Sequence, residues 1–322
     1  MNKKALLTGV AGFVGSHMAA YLLKKGFQVI GIDNMSQGFE RNLTELKSNK
    51  NFSFHNIDVC NFDAMMKVSE NLTHIVHLAA FKIPRYGGAL DTLRINTKGT
   101  ENVLEIARQK ENIKVLFSST SDIYGKNPNL PFNEESSSVV GSPKVQRWSY
   151  AVSKMFDEQM CFAYAEAYAI PVTVIRYFGG FGPHQNPSWW GGPQAAFMAA
   201  ILDGKTIEIH GDGLQTRSFT YIDDMIEGTY QALVHENSDN DVFNIGDDRE
   251  INILDFAQKV WEATGQDGKV PVEMIPYETF GRYEDVRRRV PDISKTQKIL
   301  GFRAKTNLEE ALKRTFEWQK NL

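Results

Sequence analysis

Only two of the 322 residues are cysteine, Cys60 and Cys161, each alone in an apolar stretch. A disulfide framework needs pairs and a thiolate metal site needs clusters, so neither is expected and a reducing compartment fits. An excess of charge is missing too: 36 Lys and Arg stand against 39 Asp and Glu, a formal charge of -3, with no basic stripe for tracking a phosphate backbone. Nucleic acid is therefore not an expected partner. No apolar run approaches the ~20 residues that span a bilayer, and Met1-Asn2-Lys3-Lys4 runs straight into Ala5-Leu6-Leu7-Thr8, too short for a signal h-region. A cytoplasmic protein with no membrane partner is expected.

What is present is a globular composition, 42% hydrophobic and 23% charged. Strand-like runs at residues 5–8, 28–32, 52–57, 74–78, 114–118 and 172–176 alternate with amphipathic stretches at 13–25, 63–70, 90–109 and 149–168. This alternation predicts an α/β fold, a Rossmann-type doubly wound parallel sheet with helices on both faces. Beyond Arg176 the texture changes to Phe178-Gly179-Gly180-Phe181-Gly182-Pro183 and Trp189-Trp190-Gly191-Gly192-Pro193, which reads as long loops around a site. Shorter helices (195–202, 224–235, 254–264, 308–319) and strands (206–209, 242–245) complete the chain. The expected division is a dinucleotide-binding domain at 1–176 and a smaller α/β C-terminal substrate-binding domain at 177–322, with some segments crossing back.

The first strand runs into Gly9-Val10-Ala11-Gly12-Phe13-Val14-Gly15 and then a helix. Glycines there let the backbone approach a pyrophosphate, which faces the positive end of the helix dipole. The Gly-x-x-Gly-x-x-Gly spacing departs from the commoner Gly-x-Gly-x-x-Gly, but the strand before it, the helix after it and Asp33 at the end of the second strand complete the context. A carboxylate at 33 accepts from a ribose 2'-hydroxyl and repels a 2'-phosphate, so NAD is the expected cofactor. Asn34 beside it and Asp58-Val59 after the third strand are further candidates, Asp58 for the adenine.

Tyr150 and Lys154 stand one helical turn apart on one face. A tyrosine near its reference pKa of about 10 is a poor base at neutral pH, and a neighbouring ammonium lowers that value. The phenolate then takes a proton from a sugar hydroxyl as hydride leaves the same carbon. Ser119-Thr120-Ser121-Asp122 follows the fifth strand at the carboxyl edge of the sheet, where ligands of such folds bind. Thr120 is placed to hydrogen-bond the reacting oxygen.

Gly9-x-x-Gly12-x-x-Gly15, Leu78-Ala79-Ala80, Ser119-Thr120, Tyr150-x-x-x-Lys154 and Arg176-Tyr177-Phe178 together resemble the extended short-chain dehydrogenase/reductase family of nucleotide-sugar epimerases, dehydratases and decarboxylases, over essentially the whole chain. The resemblance implies tightly held NAD reduced and reoxidised in each turnover, Tyr150 as base, Lys154 on the nicotinamide ribose and Thr120 on the substrate hydroxyl. It also implies cofactor contacts from Phe13, Val14, Leu78, Ala79, Ala80, Asn96, Ser118 and Tyr177. A homodimer pairing the helices at 90–109 and 149–168 is usual in that family.

Asp122, with Ser121 beside it, occupies the position where dehydratases and uronate decarboxylases of the family carry an acid to move protons at C5 or C6. Its other reading is a cap on the strand-to-loop turn. The segment from Tyr283 to Ile293, with Arg287-Arg288-Arg289, is similar to that of UDP-uronate decarboxylases, and the arginine run reads as a local anion site. Arg217 and Arg289 are the candidate diphosphate contacts. Gly179 replaces a common Asn, and Lys82 in Phe81-Lys82-Ile83-Pro84-Arg85, like the Trp189-Trp190 loop, departs from the 4-epimerase pattern. The expected function is transient C4 oxidation of a UDP-sugar followed by chemistry at C5 or C6 assisted by Asp122. The alternatives are a UDP-hexose 4-epimerase and a non-catalytic NAD-binding regulator.

Overall fold

Six apolar runs form strands β1 (Lys4–Thr8), β2 (Gln28–Asp33), β3 (Phe52–Asn56), β4 (His74–His77), β5 (Lys114–Thr120) and β6 (Val172–Tyr177). Between them lie helices α1 (Phe13–Lys24), α2 (Phe62–Val68), α3 (Ala89–Gln109) and α4 (Trp148–Tyr168). The rest of the chain forms β7 (Gly180–Phe181), α5 (Pro193–Leu202), β8 (Ile207–His210), β9 (Thr216–Ser218), β10 (Thr220–Tyr221), α6 (Ile222–Val234), β11 (Asp241–Ile245), β12 (Glu250–Asn252), α7 (Ile253–Ala263), β13 (Val272–Ile275), β14 (Arg288–Arg289), α8 (Ser294–Leu300) and α9 (Leu308–Lys320). This computed structural model describes residues 3–82, 88–110 and 112–322, so Ile83, Pro84 and Arg85 lie outside the described residues.

The main sheet has seven strands in the order β11-β6-β5-β4-β1-β2-β3, every pair parallel. The order turns back at β1, which pairs with both β2 and β4, and a crevice opens beyond the carboxyl ends of the strands there. Alternation along each strand serves two cores. Ala5, Leu7 and Leu116 face one that includes Met18 and Leu22 of α1 and Ile226 of α6, while Leu6, Val115 and Phe117 face one with Val103 and Leu104 of α3 and Cys161 of α4. Parallel strands covered on both faces read as continuous apolar runs, which is why they stood out in the sequence.

A boundary at residue 176 does not separate the sheet from the C-terminal half of the chain. β11, from beyond 177, pairs with β6 from Asp241 opposite Thr173 to Ile245 opposite Tyr177 and closes the edge. The segment carrying β11 thus joins the sheet whose other six strands lie between Lys4 and Tyr177.

A buried ion pair holds α4 in place. Arg176 on β6 donates Nε and Nη2 to Glu158 at 3.0 and 2.7 Å, and Nη1 to the Tyr124 hydroxyl and the Glu134 carbonyl. Both oxygens of Glu158 are thereby committed, which satisfies an otherwise costly buried charge. This clamp sets the helix that carries Tyr150 and Lys154.

Candidate active site

At the end of β1 the chain turns through Gly9 with φ of 74°, and a Cβ there would lie 2.9 Å from the Ala79 nitrogen. At Gly15 a Cβ would come within 2.0 Å of the Gly9 carbonyl oxygen, closer than any side chain tolerates. Gly12 is the N-cap of α1. The Thr8 hydroxyl accepts from the amides of Leu78 and Ala79, drawing the ends of β1 and β4 together. The result is a tight backbone cradle at a helix N-terminus, shaped for a pyrophosphate.

Asp33 ends β2 with its carboxylate fixed by two amides, Ala11 on Oδ2 at 3.0 Å and Met35 on Oδ1 at 2.8 Å. Burial raises its pKa against those two bonds. Asn34 donates to Asp58 Oδ2 at 2.9 Å, and Asp58 also accepts from the Cys60 amide; these bonds outweigh burial and lower its pKa. Val59 is buried against Gly99. A cradle that a Cβ would fill and an oriented carboxylate at the end of β2 fit NAD. Phe13, Val14 and Tyr177 line the cavity beyond, where the Tyr177 hydroxyl bonds Thr229 at 2.6 Å. Asn96 has a supporting position: its amide joins the Phe81 backbone to Ser153. Ser118 bonds the His77 carbonyl through its hydroxyl.

Thr120, Ser121, Asp122 and Tyr150 line that cavity together. The Thr120 hydroxyl accepts from the Asp122 amide at 3.2 Å, so Thr120 is the cap of this turn and keeps its own hydrogen to donate. Lys154 is buried and donates Nζ to the Ser118 carbonyl at 2.8 Å, 4.5 Å from the centre of the Phe117 ring. Burial raises the Tyr150 pKa, Asp122 and Asp157 add to the rise, and Arg289 opposes it. In this arrangement the Lys154 ammonium is directed to the Ser118 carbonyl, and the lowering of the Tyr150 phenol expected from it is not among the foremost effects on that group.

Asp122 is clamped. Arg289 Nη1 donates to Oδ1, and Arg147 Nη2 reaches the same oxygen at 3.4 Å. Burial opposes its charge, but Arg289, Arg147 and Arg217 outweigh it and hold the carboxyl down at about 2. At neutral pH Asp122 is thus a carboxylate held by two guanidiniums. Arg147 was missed in the sequence, although its place three residues before Tyr150, at the helix start, was a usable signal. Its buried Nε has no hydrogen-bond partner among the described residues.

The three-arginine run is not one anion site. Arg287 pairs with Asp212 and Arg288 with Glu250, both exposed, and only Arg289 lines the cavity: alternation along β14 turns Arg288 away from it, while Arg287 precedes the strand and is drawn out to Asp212. Arg217 lines the cavity but is bidentate to Asp285 at 3.0 and 3.1 Å, and Tyr277 donates to the same carboxylate at 2.6 Å. Gly179 leaves no gap where a side chain is missing: at φ of 48° its Cβ would fall 1.9 Å from the Ser218 carbonyl oxygen, so β9 fills that space. Lys82 lines the cavity, as do Trp189, stacked on His210 at 4.1 Å, and Trp190, edge-on to Phe81 at 6.1 Å.

The GDP-mannose 4,6 dehydratase family model matches residues 6–315, and the chain belongs to that family. A UDP-N-acetyl-alpha-D-glucosaminuronate decarboxylase from Bacillus cytotoxicus is 33% identical over 322 residues, covering 99% of this chain and 98% of that one. A UDP-glucuronate 4-epimerase from Thermodesulfobacterium geofontis is 33% identical, covering 98% and 95%. The solved UDP-glucuronic acid 4-epimerase from Bacillus cereus, in complex with UDP-glucuronic acid and NAD, has a TM-score of 0.89 at 29% identity over 99% of both chains. The Rossmann-like fold, the extended short-chain dehydrogenase/reductase family and the enzyme class read from the sequence all stand.

Proposed function

We propose that the protein is an NAD-dependent UDP-sugar enzyme that oxidises C4 transiently and then removes the C6 carboxylate of a UDP-uronate. The observation that carries this reading is the clamp on Asp122 by Arg289 and Arg147, beside Tyr150. Lys82, Arg147, Arg217 and Arg289 face the cavity against Asp122 and Asp285, a positive excess suited to a substrate with a carboxylate besides its diphosphate.

The cradle from Gly9 to Gly15, with Asp33, Asn34 and Asp58, would hold NAD, with Lys154 and Tyr177 toward its nicotinamide end. Bound NAD supplies the reversible two-electron exchange at C4. Tyr150 takes the proton of the C4 hydroxyl and later returns it, and Thr120 donates to the same oxygen. A ketone at C4 makes the substrate a β-keto acid. The C5–C6 bond breaks, its electron pair passes into an enolate on O4, carbon dioxide leaves, a proton from water adds at C5, and C4 regains its hydride as Tyr150 returns the proton to O4. Thr120 and the cationic wall favour the enolate. Asp122 holds Arg289 and Arg147 in place for the leaving carboxylate.

The exposed Leu90, Leu93, Val152 and Phe156 on α3 and α4 support a homodimer through these two helices. No helix among the described residues is long and apolar enough to cross a membrane, and a cytoplasmic location suits two unpaired cysteines. Mass spectrometry of UDP-glucuronate and UDP-N-acetylglucosaminuronate after incubation with protein and NAD tests the reaction. Loss of carbon dioxide supports it. An isomeric product inverted at C4 would support the epimerase alternative, and no product with either would leave the regulator reading.

A further inference from the structure

Tyr150, Lys154 and Asp157 stand at i, i+4 and i+7 on the inward stripe of α4. Asp157 is fully buried, and among the described residues neither carboxylate oxygen has a close hydrogen-bond partner. Such a group is costly unless a charge compensates it. Its neighbours on α4 are Lys154, Glu158 and Cys161. From α3 the Thr100 hydroxyl faces it, and Thr100 in turn contacts His77 of β4 at 3.3 Å, whose other ring nitrogen bonds Thr8 at 2.7 Å. Burial, helped by Lys154, holds His77 neutral at a pKa of about 3, and burial keeps the Cys161 thiol protonated. Glu158 is committed to Arg176 through both oxygens. Lys154 itself donates to a neutral carbonyl. Asp157 is thus the acid beside Lys154 on α4 that, among the described residues, no other cation holds.

We propose that Asp157 is a positioning residue for the Tyr150–Lys154 pair, the buried counter-charge that keeps Lys154 protonated and sets the pH at which Tyr150 passes between phenol and phenolate. The inference rests on Tyr150 and Lys154 being the acid–base pair. Burial raises the Asp157 carboxyl to about 6, with Lys154 opposing. Burial lowers the Lys154 pKa and Asp157 is the foremost group opposing that fall, while Asp157 adds to the rise at Tyr150. One negative charge therefore works on both partners in the same direction.

The test is a carbon-13 NMR titration of ring-labelled tyrosine in the NAD complex, with the Tyr150 signal assigned through Tyr150→Phe. In Asp157→Asn the Tyr150 midpoint should fall by on the order of one pH unit, as expected for a unit charge about 10 Å away in a partly screened site. Asp157→Glu should restore it. The limbs of kcat/KM against pH should move with the midpoint, whereas a merely structural role would lower activity without moving them. An unmoved midpoint in a folded, NAD-binding Asp157→Asn overturns the proposal. Should that variant not fold, Thr100→Val serves: loss of the facing hydroxyl should raise the Asp157 titration seen with carboxyl-labelled aspartate and draw the Tyr150 signal with it, and independent titrations would overturn the coupling. The titration uses no sugar, so failure to turn over UDP-uronates would contradict the functional reading and leave this result standing.

Discussion

Asp122 accepts a hydrogen bond from Arg289, a residue 167 positions further along the chain, and this contact turns a carboxylate at the end of β5 into a fixed anion that carries two guanidiniums. Its pKa of about 2 lies below the ordinary value of 3.8, so the pairing stabilises the fold above about pH 4 and the gain is lost as pH falls through the folded value. Asp122→Asn should cost about 2 kcal/mol at pH 7 and little near pH 2, read by urea unfolding at both pH values. It should also lower kcat by about a hundredfold, without removing a limb of the pH profile between pH 5 and 9, since Asp122 does not titrate there.

Asp33 is oriented by the amides of Ala11 and Met35 to receive a ribose hydroxyl. Asp33→Ala should weaken NAD binding about 10- to 100-fold, the worth of hydrogen bonds to a charged group. NADP, relieved of repulsion, should lose far less. Fluorescence titration of both cofactors measures the ratio, and an unchanged ratio would contradict this role.

The Arg176–Glu158 pair is the buried fastening between β6 and the helix of Tyr150. Glu158→Gln leaves the guanidinium without its counter-charge and should destabilise the protein by about 3 kcal/mol. Chemical denaturation reads the loss directly, and a change near zero would show that the clamp is not structural.

Asp157 has the opposite pH signature to Asp122. Its carboxyl is raised from 3.8 to about 6, so the folded state favours the protonated form, and ionisation erodes stability as pH rises from about 4 through 6. Asp157→Asn should therefore stabilise the protein by about 1–3 kcal/mol at pH 8 and hardly at all at pH 4. Thermal melts at the two pH values decide it.

The legible part of the fold was what local pattern encodes. β1, the glycine turn and α1 stood out because a buried apolar run, forced backbone turns and an amphipathic stretch succeed one another in the chain. Strands β7, β9, β10, β12 and β14 were not legible: at two or three residues each they carry no period, and only their partners define them. At the site, Tyr150, Lys154, Thr120 and Asp122 were named from helix spacing and strand ends. The state of Asp122 was not, because one guanidinium that fixes it arrives from β14. Gly179 looked like a lost contact until Ser218, on β9, was seen to occupy the space. The arginine run looked like one site, but Arg287 and Arg288 are taken by Asp212 and Glu250, which lie far off in the chain.

The most direct test of the central claim is the fate of deuterium placed at C4 of a UDP-uronate during turnover with NAD. The account predicts a product that has lost carbon dioxide yet keeps the deuterium at C4, since the same enzyme removes and returns it in one residence. A product that retains its carboxylate, or one whose C4 label is lost while carbon dioxide leaves, would contradict it.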